Sequence, residues 1–208
     1  MKDNLHVLIY SAVLGLVCAS LLAGAAKFTE PYREMNAKAE ETRHILDVLE
    51  VPYSPKASAA DLQKVLQENI RKAPRGGLEV YEYVPAQAGG KVTAVVVPFA
   101  GQGVWGPIKG FLALEPDMKT IRGITFSQQE ETPGLGGEIG NPEFTKKFKG
   151  KTIVDAEGRP GFRIGGPGLT GPNKVDAVSG ATLTSNKVEQ MLNVTIQKIG
   201  KTQDSHGQ

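Results

Sequence analysis

The sequence predicts an α+β protein, with one N-terminal transmembrane helix followed by a mostly antiparallel sheet packed with helices. Residues 5–26 contain no Asp, Glu, Lys or Arg, and this run is long enough to cross a bilayer as a helix. Several strand-like runs then follow one another directly, which favours antiparallel pairing over alternating βαβ units. The 25 glycines and 13 prolines are typical of a domain with many turns.

This pattern divides the chain into an anchor, a helical connector, a sheet-containing domain and a polar tail, at residues 1–26, 27–77, 78–200 and 201–208. A cleaved signal peptide is the alternative for the N-terminus, because Lys2 is basic and residues 23–25 resemble a cleavage site. The length of the apolar run favours an anchor, and helix-compatible sequence continues after it. Both alternatives put the soluble domain outside the cytoplasm.

Two helices are predicted in the connector, over residues 34–50 and 58–72. The second begins with a capping-box pattern, Ser58 and Asp61. Its apolar face is formed by Leu62, Val65, Leu66 and Ile70. Pro74 is expected to end it.

Four strands are predicted next, over residues 78–84, 91–99, 108–114 and 121–127. The Gly89-Gly90 pair predicts a hairpin between the first two strands, and residues 115–117 form a turn between the last two. A short helix is expected over residues 143–148, with Pro142 at its first position.

The C-terminal third contains two weak strands, predicted over residues 151–154 and 161–164. A glycine- and proline-rich loop follows them. The last helix is predicted over residues 186–199, where Asn186 and Glu189 form a capping pattern. Its inner face would be formed by Val188, Met191, Leu192, Thr195 and Ile199.

Composition excludes several classes of protein. The net charge is +2, and no Lys/Arg block is interleaved with aromatic residues, so nucleic acid is not an expected partner. The single cysteine, Cys18, excludes an intrachain disulfide and a cysteine metal site. The three histidines are scattered, so we predict neither a metal site nor a catalytic base.

Residues 176–185 are the most informative stretch, because small and hydroxyl-bearing residues lie directly before an amphipathic helix. The N-terminus of a helix favours a phosphate group. Gly180 and Ala181 leave room for a large group, and the Thr182 hydroxyl is a candidate for a phosphoester. An ordinary N-capped loop is the alternative. A serine or threonine hydrolase is disfavoured, because no histidine lies near the motif.

Three further side chains of this stretch have candidate roles. Thr184 and Ser185 could donate hydrogen bonds to phosphate oxygens, or cap the helix instead. Asp176 could orient the loop, or hold a metal ion while a cofactor is attached.

The residues Asp176, Ser179, Gly180, Ala181 and Thr182 match the flavinylation motif of the FMN-binding domain family. The resemblance covers roughly residues 90–195. In that family a flavin transferase joins the FMN phosphate to the last threonine of the motif. The resemblance therefore implies FMN as cofactor, Thr182 as its attachment point, residues 78–200 as the FMN-binding domain, and no separate catalytic residues.

A second stretch, residues 130–138, resembles the family loop that lies against the flavin. The resemblance implies cofactor-binding roles for Glu131, Thr132, Gly134, Leu135 and Gly136. The residue types agree with contact to a flavin, since glycines on both sides of a leucine let the backbone approach a flat ring. A glycine-rich turn after a strand is the alternative.

A third stretch, residues 101–111, contains the only tryptophan, Trp105, which could edge the flavin or close the core. This stretch is similar to the C subunits of sodium-translocating NADH:quinone reductases. The G subunits of the related ferredoxin:NAD electron-transport complexes share the anchor and the other two motifs. Residues 104–107 favour the C-subunit group.

The resemblance implies an electron-transfer subunit anchored in the bacterial inner membrane, with its soluble domain on the periplasmic side. Its expected partners are the membrane, the other subunits of the complex and the flavin transferase. The alternative from another class is an anchored module that binds an anion without redox chemistry. A stable increase in mass would distinguish the two.

Overall fold

The computed structural model describes residues 2–75 and 77–204, and the chain divides into two compact units, residues 1–39 and 40–208. Helix α1 (Lys2–Val48) runs through the first unit and into the second. Its N-terminal part is long and apolar enough to cross a membrane, which agrees with the apolar run in the sequence.

The second unit begins with the last turns of α1 and with α2 (Ala59–Asn69). Helix α2 starts as predicted: the Ser58 hydroxyl accepts a hydrogen bond from the Asp61 N–H (3.2 Å), and the Asp61 carboxylate accepts one from the Ser58 N–H (3.0 Å). These two bonds satisfy N–H groups that the first helical turn leaves free.

The predicted end of this helix at residue 72 is wrong. Helix α2 stops at Asn69, and residues 70–75 form strand β1 (Ile70–Arg75). β1 pairs with the following strand over its whole length, from Ile70 opposite Tyr83 to Arg75 opposite Leu78. This pairing overrides the local helical pattern, and Pro74 is tolerated because β1 lies at the edge of the sheet.

The five-stranded sheet has the strand order β1-β2-β3-β4-β5, and every neighbouring pair is antiparallel. The remaining strands are β2 (Leu78–Tyr83), β3 (Ala94–Gln102), β4 (Pro107–Leu114) and β5 (Ile121–Gln128). The four predicted strands and the antiparallel arrangement are confirmed, although β3 begins and ends three residues later than predicted. Gly89 and Gly90 both have positive φ between β2 and β3, a conformation that favours glycine.

Short elements follow the sheet. Helix α3 (Pro142–Thr145) begins with proline at its first position, as predicted. Strands β6 (Arg163–Gly165) and β7 (Lys174–Asp176) form a parallel pair. The predicted strand over residues 151–154 is wrong, because this segment makes only isolated bridges at Thr152 and Val154.

Helix α4 (Thr182–Asp204) packs against the sheet. It begins four residues earlier than predicted, so the capping role assigned to Asn186 is wrong. The Ser185 N–H donates to the Ala181 carbonyl (3.0 Å), so the hydroxyl-rich motif forms the first turn itself. The predicted inner face is confirmed as buried: Val188, Met191, Leu192, Thr195 and Ile199.

The core between α4 and the sheet contains a row of phenylalanines. Phe148 is fully buried and stacks on Phe162, with ring centroids 5.1 Å apart. It also meets Phe144 edge to face at 5.2 Å. Phe148 therefore contacts both the α3 region and the segment that leads into β6.

We expect Phe148→Ala to lower the free energy of unfolding by about 3–5 kcal/mol, because it removes a buried ring and leaves a cavity. Urea denaturation of the full chain in detergent measures this. Val194→Ala on the exposed side of α4 is the control, with an expected change within about 0.5 kcal/mol. Equal effects of the two variants would contradict the assigned core.

Candidate functional site

The turn between β3 and β4 forms the first part of the site. The Gly103 N–H donates to the Gly106 carbonyl (2.9 Å) and closes the hairpin. Trp105, at its tip, is 72% exposed. Its ring therefore does not close the core, which was one of the two alternatives for this residue.

The loop after β5 forms the second part. The Thr132 carbonyl accepts the N–H groups of Leu135 (3.1 Å) and Gly137 (2.9 Å). Gly134 has φ +73°, in the left-handed region that favours glycine. The turn leaves Leu135 46% exposed, so an apolar side chain stands at the surface of a hydrogen-bonded loop.

The hydroxyl-rich motif, residues 176–185, forms the third part, between the end of β7 and the start of α4. The Ala181 N–H donates to the Val178 carbonyl (3.1 Å), and the Val178 N–H donates to the Ser185 hydroxyl (3.2 Å). Gly180 lies in this turn with φ +74°. Helix α4 then begins at Thr182, so its first N–H groups lie beside the motif.

The three parts contact one another. The Thr184 hydroxyl donates to Glu131 Oε2 (2.6 Å), and the Val104 and Trp105 N–H groups donate to Glu131 Oε1 (2.8 and 3.1 Å). A Cβ on Gly180 would lie 3.3 Å from Leu135 Cδ2, so Leu135 packs on the motif. Stretches that are widely separated in sequence therefore form one site.

The residues singled out in the sequence fall into two groups by exposure. The exposed group comprises Trp105, Thr132, Gly134, Leu135, Ser179, Gly180 and Thr182. The buried group comprises Glu131, Gly136, Ala181, Thr184 and Ser185, while Asp176 is half-buried. The exposed group, and in part Asp176, is accessible to a cofactor without rearrangement of the site.

Asp176 holds the loop that precedes it, because its Oδ1 accepts the Leu169 N–H (3.3 Å). A metal-holding role has no further support within residues 2–75 and 77–204, where no group of three or more His, Cys, Asp and Glu side chains could bind a metal ion.

Lys147 is a cation at this site that the sequence did not indicate. Its Nζ lies 3.4 Å from the Asp176 carbonyl oxygen. Lys147 and Ser179 both line a cavity of about 350 Å³. No sequence signal could have found it, since it lies 29 positions before Asp176 and gains its place only through folding.

The arrangement suits a phosphate-bearing group. Thr182 presents an exposed hydroxyl at the first position of a 23-residue helix. The helix dipole and the unpaired N–H groups of the first turn stabilise negative charge there. Trp105 and Leu135 offer exposed apolar surface to a flat ring. These residues fit a cofactor such as FMN, which combines a phosphate with a flat ring.

Comparison with known proteins identifies the family. The model of the FMN-binding domain family matches residues 103–197. The C subunit of the Na(+)-translocating NADH-quinone reductase of Pasteurella multocida is 30% identical, and that of Neisseria meningitidis serogroup A is 32% identical. Each alignment covers 90% of this chain and 88% of the relative.

Two crystal structures share the fold. The C subunit of the same reductase from Parabacteroides distasonis is 27% identical with a TM-score of 0.69, covering 82% of this chain and 94% of that one. NqrC from Shewanella oneidensis is 23% identical with a TM-score of 0.67, covering 80% and 98%. The chain belongs to the family of C subunits of Na(+)-translocating NADH-quinone reductases and contains that family's FMN-binding domain.

Proposed function

We propose that this chain is the subunit of a sodium-translocating NADH:quinone reductase that carries FMN on Thr182 and passes electrons between neighbouring carriers. Membership of the C-subunit family supports the assignment to this oxidoreductase and to FMN. The observation that carries the proposal is the exposed Thr182 hydroxyl at the first position of α4.

The other hydroxyl groups of the motif are less suited than that of Thr182 to carry the flavin. Thr184 is 4% exposed and donates to Glu131, and Ser185 is fully buried and accepts from Val178. Ser179 is exposed but precedes the helix. Thr182 therefore combines access for a transferase with the N–H groups of the helix start.

The attachment step would form a phosphoester. The Thr182 Oγ1 would give up its proton and bond to the phosphorus next to the riboflavin part of a flavin dinucleotide held by the transferase, while the P–O–P bond of the dinucleotide breaks and a nucleoside monophosphate takes up the proton and leaves. The net addition to the chain is one FMN less one water. The N-terminus of α4 then stabilises the remaining phosphate charge.

When bound, FMN supplies the capacity to accept and donate electrons. The chain's own residues position it and shape its surroundings. Trp105 and Leu135 provide apolar contact beside the attachment point, and exposure of this region leaves a path for neighbouring carriers to approach. In this proposal the redox chemistry belongs to the flavin, and the chain contributes its binding and position.

The other subunits of the complex are the partners in this proposal, and the flavin transferase is a partner during maturation. The apolar part of α1 anchors the chain in the bacterial inner membrane. The soluble unit lies on the periplasmic side, where a covalent bond retains the flavin. The alternative, an anchored anion-binding module, would carry no adduct.

We expect Thr182→Ala to abolish the adduct while the chain still folds, because the position is exposed and such substitutions change stability by about 0.5 kcal/mol or less. Intact mass and in-gel flavin fluorescence after denaturation, on protein from a host with an active transferase, measure this. Thr182→Ser keeps the hydroxyl and should restore the fluorescent band.

A fluorescent band on Thr182→Ala would move the attachment to another hydroxyl. The absence of an adduct on the wild-type chain would contradict the proposal and leave the anion-binding module. Circular dichroism in the far ultraviolet establishes that each variant is folded.

We expect Leu135→Ala to keep the adduct and change the visible absorbance of the flavin, because it removes apolar surface beside the motif. Visible spectra of the flavinylated proteins test this, with Val194→Ala as the control at an exposed position further along α4. Identical spectra for the wild type and Leu135→Ala would contradict contact between this side chain and the ring.

A further inference from the structure

Glu131 is a buried carboxylate in the middle of the site. The residue is 5% exposed, and isolated carboxylates are rarely buried unless their oxygens are paired. Both oxygens are paired here: Oε1 accepts the Val104 and Trp105 N–H groups, and Oε2 accepts the Thr184 hydroxyl. We call Glu131 with these three partners the Glu131 network.

The backbone around Glu131 leaves room for its carboxylate and little else. A Cβ on Gly103 would lie 2.5 Å from Glu131 Oε1. A Cβ on Gly136 would lie 2.5 Å from the Thr184 hydroxyl oxygen and 2.9 Å from Glu131 Oε2. Two separate stretches therefore close on the same hydrogen bonds, and a side chain on either glycine would force them apart.

The Glu131 network joins elements that no strand pairing links directly. On one side it holds the N–H of Trp105, at the tip of the β3–β4 turn. On the other side it holds Thr184, which lies two residues after Thr182 in the first turn of α4. The Glu131 carboxylate therefore links the turn that carries Trp105 directly to the helical turn that carries Thr182.

We propose that Glu131 is a positioning residue: it fixes the Trp105 turn relative to the first turn of α4, so that a flavin on Thr182 meets that turn in a single orientation. This inference rests on the proposed attachment at Thr182. It differs from a direct cofactor contact, because the carboxylate is enclosed and its oxygens are occupied by protein donors. Hydrogen bonds to a charged acceptor are stronger than those between neutral groups. A carboxylate is therefore well suited to hold together two segments that are distant in sequence.

Trp105 makes the network measurable without any cofactor. It is the only tryptophan in the chain, so its fluorescence anisotropy decay reports the mobility of the turn alone. In the unflavinylated full chain in detergent, Glu131→Ala should increase the fast, local part of this decay, because both N–H groups of the turn lose their acceptor.

Thr184→Val is the matched variant, since it removes only the bond to α4 and keeps both bonds to the turn. We expect it to leave the Trp105 decay unchanged. In the flavinylated protein, however, both Glu131→Ala and Thr184→Val should lose the visible circular dichroism of the flavin. This signal requires the flavin to be held in one orientation relative to the protein. Intact mass should show that both keep the adduct.

The conservative variants complete the test. Glu131→Gln should restore the wild-type Trp105 anisotropy decay and the visible circular dichroism of the flavin. Its amide oxygen accepts the two N–H groups, and its amide nitrogen can donate to the Thr184 oxygen. Thr184→Ser keeps the hydroxyl and should behave as the wild type. Each variant is first shown to be folded by its far-ultraviolet spectrum.

An unchanged Trp105 decay in folded Glu131→Ala would overturn the proposal, as would wild-type visible dichroism in folded Thr184→Val. Loss of the adduct in both variants would also overturn it, because Glu131 would then serve the attachment reaction. If Glu131→Ala increased the mobility of Trp105 but the wild-type chain carried no adduct, only the proposed attachment of flavin at Thr182 would be contradicted. The link that Glu131 makes between the two turns would stand.

Discussion

The close packing of helix α4 against strand β3 underlies the site around Thr182. Gly101 makes the close approach possible, because a Cβ there would lie only 3.0 Å from Met191 Cβ. Burial of each large apolar side chain on the inner face of α4 contributes about 1.5–3 kcal/mol. The start of the helix, and with it Thr182, is thereby held near the turn that follows β3.

The polar residues of α4 extend this constraint to the segment before the motif. The Asn193 side chain accepts from the Phe162 N–H (2.7 Å) and donates to the Phe162 carbonyl (2.9 Å), while Glu189 accepts from the Ile164 N–H (2.6 Å). These bonds hold β6, which pairs with β7, and β7 leads into the motif. One helix therefore fixes both ends of the stretch that leads to Thr182.

The sequence predicted what depends on local pattern. Apolar spacing located the inner face of α4, strand-like runs between turns located four strands, and the small hydroxyl-rich stretch located the motif. Two features that depend on hydrogen bonds formed only in the folded chain were missed. Residues 70–75 become strand β1 only because β2 lies beside them. Helix α4 begins at Thr182 because the Ser185 N–H bonds to the Ala181 carbonyl. The enclosed position of Glu131 likewise follows from contacts with Trp105 and Thr184, which no local pattern encodes.

The most direct test of the account is mass mapping of the tryptic peptide that spans residues 175–187, taken from protein made with an active flavin transferase. Trypsin releases this peptide by cleavage after Lys174 and after Lys187, and it contains every hydroxyl group of the motif. The account predicts a mass increase of one FMN less one water, with fragmentation placing it on Thr182. An unmodified peptide, or a modification on Ser179, would contradict it.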